Sequence, residues 1–95
     1  MKYLEELGIG NDMIEELMDT TPEALLKLFE ENKKLVSANI NYLKELGVNK
    51  YPEILVRYPE MFLMDNSNFK DIFAKYEVND LIEKINKNVG IVEYL

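Results

Sequence analysis

The chain contains neither histidine nor cysteine, and this absence settles much of its chemistry. It removes disulfides, cysteine-type zinc fingers, thiol nucleophiles and the Ser-His or Cys-His pairing. It also removes the commonest general base and the commonest transition-metal ligand. Carboxylates, lysines and hydroxyls remain. Glu5, Glu6, Asp12, Glu15, Glu16 and Asp19 form an acidic group, with Glu15 and Asp19 one helical turn apart, where a hard cation can bridge two carboxylates. No Asp-x-Asp-x-Asp-Gly loop accompanies them, and they read as a solvated face. Acid–base work by paired carboxylates needs a cleft that raises one pKa, and the pattern predicts none. Ser37, Ser67, Thr20 and Thr21 have no partner base and read as caps and turns. No catalytic residue, metal ligand or cofactor is assigned, no small-molecule substrate is evident, and the chain is expected not to be an enzyme.

Binding chemistry is better represented. The net charge of −7 is polarised: residues 1–31 carry nine acids against Lys2 and Lys27, whereas residues 32–95 carry nine acids and nine bases. Within 32–57, Lys33, Lys34, Lys44, Lys50 and Arg57 face only Glu45 and Glu53. With Lys87, these are the candidate nucleic-acid contacts, interleaved with Tyr51 and Tyr58. Ten lysines against one arginine argue the other way, because the guanidinium fork is the better reader of phosphates and bases. The second candidate is the run Met61-Phe62-Leu63-Met64. Met61, Phe62 and Met64 are expected to offer an adaptable apolar surface to a partner protein or a second copy.

The elements that must position these residues are helices. Lys2–Leu7 is expected as the first, ended by Gly8 in the left-handed conformation. Asn11 is expected to cap a second helix over Asp12–Met18, and Thr21-Pro22-Glu23 is a start signal for a third. From Ala24 the apolar positions Leu25, Leu28, Phe29, Val36, Ile40, Leu43 and Leu46 recur every three or four residues. One long helix and a pair broken near Asn32 both fit, and the break is favoured. Gly47 ends the pattern. Asn49 is expected to cap Lys50–Arg57, Pro59 to push Tyr58 out of helical geometry and open a short segment Glu60–Met64. Ser67 is expected to cap Asn68–Tyr76, Asn79 to cap Asp80–Lys87, and the apolar tail Val89–Leu95 to dock as a terminal cover. A Gly8-Ile9-Gly10 sequence is similar to a helix-hairpin-helix phosphate loop, but Asp12, Glu15 and Glu16 would repel a phosphate there, and a helix end is the better reading.

These helices repeat. Tyr3-Leu4-Glu5-Glu6-Leu7-Gly8-Ile9 matches Tyr42-Leu43-Lys44-Glu45-Leu46-Gly47-Val48 at an offset of 39, and Thr21-Pro22-Glu23 matches Tyr58-Pro59-Glu60 at 37. A third copy follows at 30, with Val78-Asn79 on Val48-Asn49, Lys87 on Arg57, and Glu77 in place of the glycine. The expected fold is all-α, a short right-handed α-solenoid of about two and a half helix-turn-helix repeats (2–37, 38–67, 68–95) in one domain, 1–95. The pattern resembles the mitochondrial transcription termination factor (mTERF) family. The matching residues are Leu43, Leu46, Gly47, Val48, Ile54, Leu55, Pro59 and Phe62-Leu63, and in the first copy Leu4, Leu7, Gly8, Ile9, Leu17, Pro22 and Leu25-Leu26. The resemblance implies a curved helical stack that binds double-stranded nucleic acid along a basic concave face.

Two functions follow as expectations. The first is a non-enzymatic interaction module that binds a protein partner or self-associates. The alternative is a small nucleic-acid-binding protein using the basic segment 32–57. The acidic balance favours the first. With no apolar run of eighteen residues and acids in MKYLEELGIG where a signal or transit peptide would be basic, a cytoplasmic location and no membrane partner are expected.

Overall fold

Helical spacing of apolar residues, interrupted by glycine, proline and asparagine, produces helices throughout the computed structural model, which describes residues 1–95. The α-helices are α1 (Lys2–Glu6), α2 (Asn11–Thr20), α3 (Glu23–Glu31), α4 (Lys33–Leu46), α5 (Tyr51–Arg57), α6 (Asn66–Ala74) and α7 (Val78–Lys87). Two 3₁₀ segments, Pro59–Leu63 and Val89–Tyr94, follow α5 and α7. There is no strand. The stack is 35 Å long and about two-thirds as wide: α2 packs on α5, α4 packs on α6 and on the first 3₁₀ segment, and α5 packs on the second. None of the helices is long and apolar enough to cross a membrane.

The break at Asn32 is present. Asn32 leaves helical geometry, and its side-chain amide donates to the Leu28 carbonyl at 2.8 Å, closing α3. The chain breaks again at Met64–Asp65, so the expected repeat borders at 37/38 and 67/68 fall inside α4 and at the start of α6. Gly8 and Gly47 close their helices alike, at φ +94° and +92°. In each, the next residue's N–H reaches back to the buried leucine five positions earlier: Ile9 to Leu4 and Val48 to Leu43, both at 3.0 Å. That 6→1 bond is the Schellman closure, which needs a left-handed residue. The third copy has Glu77 there instead, and it works differently. Its carboxylate accepts from the N–H groups of Asn79 and Asp80, opening α7 at Val78.

Several caps differ from expectation. Glu77, not Asn79, caps α7, and Asp65, not Ser67, caps α6 by accepting from the Asn68 N–H at 3.4 Å. Asn11 lies inside α2 behind an extended Gly10, and α5 begins at Tyr51 with no side-chain cap from Asn49. Thr21 is extended and its hydroxyl is buried, where it finds no partner.

The core runs the length of the stack, and its centre lies between α4 and α6. Phe62, Phe69 and Phe73 are fully buried, with neighbouring ring centroids 5.3 Å apart, and Tyr42 meets Phe69 edge-on at 6.2 Å. Among them lies one buried amide. Asn39 donates to the carbonyls of Phe62 and Met64 at 2.9 and 3.0 Å and accepts from the Asn66 amide at 2.8 Å. These bonds tie α4 to the end of the first 3₁₀ segment and the start of α6.

Asn39→Ala strands two carbonyls and an amide in the interior, so it is expected to cost roughly 2–4 kcal/mol. Urea unfolding followed by circular dichroism measures it, and a loss below about 1 kcal/mol would show that solvent can take over the amide's role.

Candidate nucleic-acid interface

The six candidate cations all belong to α4, α5, α7 or their borders, but the fold does not offer them as one free stripe. Lys44 projects back from α4 to the end of α1, where its ammonium donates to the Leu7 carbonyl at 3.0 Å. The Tyr51 hydroxyl donates to the same carbonyl at 3.2 Å, and the Lys44 nitrogen lies 5.8 Å from the Tyr51 ring centroid. A cation at a helix C-terminus also meets the negative end of the helix dipole. The pair therefore clamps the first set of helices to the second. Gly8 is required by this clamp as well as by its φ, since a Cβ there would lie 2.5 Å from the Tyr51 hydroxyl.

The other cations are engaged in similar ways. Lys33 pairs with Glu30 at 3.6 Å and lies 5.9 Å from the Tyr3 ring centroid, while the Tyr3 hydroxyl donates to the Phe29 carbonyl at 2.9 Å. Lys50 pairs with Glu53 at 3.4 Å and Lys87 with Glu83 at 3.1 Å. Arg57 lies over the Tyr58 ring at 5.5 Å and shares a groove with Glu16 and Glu53. Lys34 alone has no intramolecular partner. Arg57 and Lys87 do hold equivalent places, as the last residues of α5 and α7. Exposed ion pairs are weak and exchangeable, but the Lys44–Leu7–Tyr51 clamp joins separate elements and has a structural task.

The apolar candidate requires a correction. Phe62 is fully buried and cannot form a surface contact, while Met61 and Met64 are half-buried against the core. Met61, Phe62 and Leu63 lie in the 3₁₀ segment, which buries Phe62, and Met64 follows it in extended geometry. The exposed apolar residues lie elsewhere: Met18 on α2, Leu28 on α3, and Tyr76, Val78 and Tyr94 near the C-terminus. Sequence reading passed over Met18. It sits beside the buried Leu17 at the edge of an otherwise regular amphipathic pattern, which was the available signal.

Two clefts stand out. One lies between the Thr20–Pro22 turn and the Arg57–Met61 turn, bringing together the two Pro-Glu turns of the repeat. Thr21, 7% exposed, lines this cleft while its unpartnered hydroxyl is buried beneath it. The other is a shallow groove of about 540 Å³ on α2 and α3. Three tyrosines have raised pKa values. Burial raises Tyr3, with the Glu30 carboxylate adding to it, and burial and then Asp71 raise Tyr42. Burial raises Tyr58; Arg57 opposes this and Glu93 adds to it, although no well-aligned hydrogen bond forms at the Tyr58 hydroxyl.

Stacked helix sets closed by repeated Leu-Gly-Ile or Leu-Gly-Val ends define an all-α helical-repeat protein. The mTERF family model matches residues 1–87, and the chain belongs to that family. No curated protein and no solved structure matches it.

Two outcomes check this geometry. Gly8→Ala and Gly47→Ala each force an L-residue into left-handed geometry at roughly 1–2 kcal/mol. The Gly8 change is expected to cost more, because Tyr51 must also withdraw, and to lose that excess in a Tyr51→Phe background; equal costs in thermal melts would refute the clamp. The second concerns alkali. Because Tyr3, Tyr42 and Tyr58 hold their protons more tightly when folded, the unfolded chain ionises first. Their contribution is complete below about pH 10 and is lost as pH rises beyond it. Tyr3→Phe should flatten the fall in urea midpoint as pH rises from about 10 to about 12.

Proposed function

We propose that this protein is a non-enzymatic helical-repeat module whose partner is a protein rather than a nucleic acid. The observation that carries this reading is the unequal use of charge. Five of the six candidate cations have an intramolecular partner. Of the nine acids in residues 1–31, only Glu30 forms an ion pair. Phosphate binding draws its free energy from clustered, available cations that displace counterions. Residues 1–31, with nine acids against two lysines, present an acidic surface, and a polyanion approaching it is repelled.

Nucleic-acid binding is the second reading. Family membership favours it, as does the matched placement of Arg57 and Lys87 at their helix ends. It would use Lys33, Lys34, Lys44, Lys50, Arg57 and Lys87, and it must disturb the Lys44 clamp to bring Lys44 to a phosphate.

Fluorescence anisotropy with a duplex DNA and a structured RNA across a salt series separates the two. Titrations that stay flat at low salt are expected. Micromolar binding that weakens steeply with salt, and disappears when Lys50 and Arg57 are replaced, would overturn the protein-partner reading.

A further inference from the structure

The two 3₁₀ segments are counterparts in the repeat: at the offset of 30, Val89 stands on Pro59, Val92 on Phe62 and Tyr94 on Met64. They are secured very differently. The first is tied to α4 by Asn39, which donates to the carbonyls of Phe62 within it and Met64 just after it, at 2.9 and 3.0 Å. At the same offset Asn39 becomes Phe69, which has no donor to give. Beyond Asn88 at its own entrance, the second segment receives one hydrogen bond from the rest of the chain, from the Tyr76 hydroxyl to the Leu95 carbonyl at 3.5 Å. It forms no ion pair, and its buried anchors are the two valines, Val89 and Val92.

The second segment also covers a group that closure leaves unsatisfied. It packs on α5, whose last residue, Arg57, lies against Gly90: a Cβ there would be 3.5 Å from an Arg57 guanidinium nitrogen. The next residue, Tyr58, has its hydroxyl buried with no hydrogen-bond partner. Glu93 and Tyr94 of the segment both act on that hydroxyl's ionisation, so they lie beside it. A buried polar group without a partner disfavours the state that buries it, and opening returns this one to water. A single residue links the segment to α7, and it is extended: Asn88, at φ −152° and ψ 100°.

We infer that residues 89–95 are a releasable strap, which pivots at Asn88 and opens as a unit while the α-helices stay folded, uncovering the Tyr58 hydroxyl and the Arg57 guanidinium. Arg57 and Tyr58 also line the cleft between the two Pro-Glu turns. Opening therefore joins the bed of the strap to that cleft. A ligand in the cleft that offers the Tyr58 hydroxyl an acceptor favours the open state, and cleft occupancy and strap position are then coupled. The strap goes beyond the protein-partner reading and does not depend on it.

Hydrogen exchange of the full chain, read at single amides by NMR, tests this. The amides of Gly90, Ile91 and Leu95 are expected to share one protection factor to within about threefold, and to lie at least about tenfold below those of Met61 and Met64 beside Asn39. Tyr58→Phe removes the unpartnered hydroxyl and keeps the ring, so it should raise protection of the strap amides about fivefold or more. Tyr3→Phe removes a hydroxyl that already has a partner, the Phe29 carbonyl, and should leave the strap within about twofold. If Tyr58→Phe lowers the melting temperature, Val92→Ala repeats the test without touching Tyr58, by withdrawing an anchor; it should lower strap protection about tenfold or more.

Strap amides as protected as Met61 and Met64 would overturn the inference, by showing the two 3₁₀ segments to be fixed alike. Protection that falls steadily from Gly90 towards Leu95 and ignores Tyr58→Phe would overturn it too, since the residues then fray one by one with the hydroxyl still covered. A shared protection factor that rises with Tyr58→Phe and falls with Val92→Ala is the signature of the strap.

Discussion

One buried amide constrains how the second and third sets of helices join. The 3₁₀ segment after α5 cannot satisfy its last carbonyls within a helix, and it ends against the most apolar part of the interior. A carbonyl buried there without a donor costs about as much as a lost hydrogen bond. Asn39 supplies both missing donors from one side chain on α4 and uses its remaining oxygen to accept from Asn66. The position of α6 relative to α4 is thereby tied to bonds whose geometry tolerates little slippage. The aromatic packing of Phe62, Phe69 and Phe73 depends on that placement, since rings at 5.3 Å centroid spacing must arrive together.

The joint between the first and second sets solves the same problem at the surface. The end of α1 exposes the Leu7 carbonyl, and the chain places a cation and a phenol on it. This has a functional consequence. Lysine and tyrosine side by side also suit a nucleic-acid groove, so residue types alone do not distinguish a phosphate contact from an inter-repeat stitch. The distinction lies in where the side chain ends, and Lys44 and Tyr51 end on the backbone of a neighbouring unit.

Much of the fold was legible because its signals are local and steric. Gly8 and Gly47 announce left-handed helix ends, Pro59 bars Tyr58 from the helix, and the Asn32 break follows from a gap in the apolar spacing. The caps were less legible. Asp65 caps α6 from just outside it while Ser67 lies inside its first turn, and Glu77 caps by reaching two and three residues ahead from the place where a repeat glycine was lost. The candidate contact surface was misplaced for a different reason. Met61, Phe62 and Met64 read as too many apolar residues for one face of an α-helix, which is correct. The chain resolves the excess by changing helix type, and the 3₁₀ turn directs Phe62 fully inward. Asn39 was invisible, since nothing local marks a polar residue whose partners lie 23 to 27 positions away.

The polarity of the charge distribution follows from the same architecture. A stacked array must join successive units, and here a cation performs part of that joining: Lys44 donates to the Leu7 carbonyl, while Lys33 beside Tyr3 and Arg57 over Tyr58 make contacts within a unit. Acids cannot take those places, because the groups to be covered at helix ends are carbonyls and ring faces, both electron-rich. A repeat protein with surplus cations can stitch its units and still present a basic face. In this chain the first thirty-one residues are acidic, with nine acids against Lys2 and Lys27.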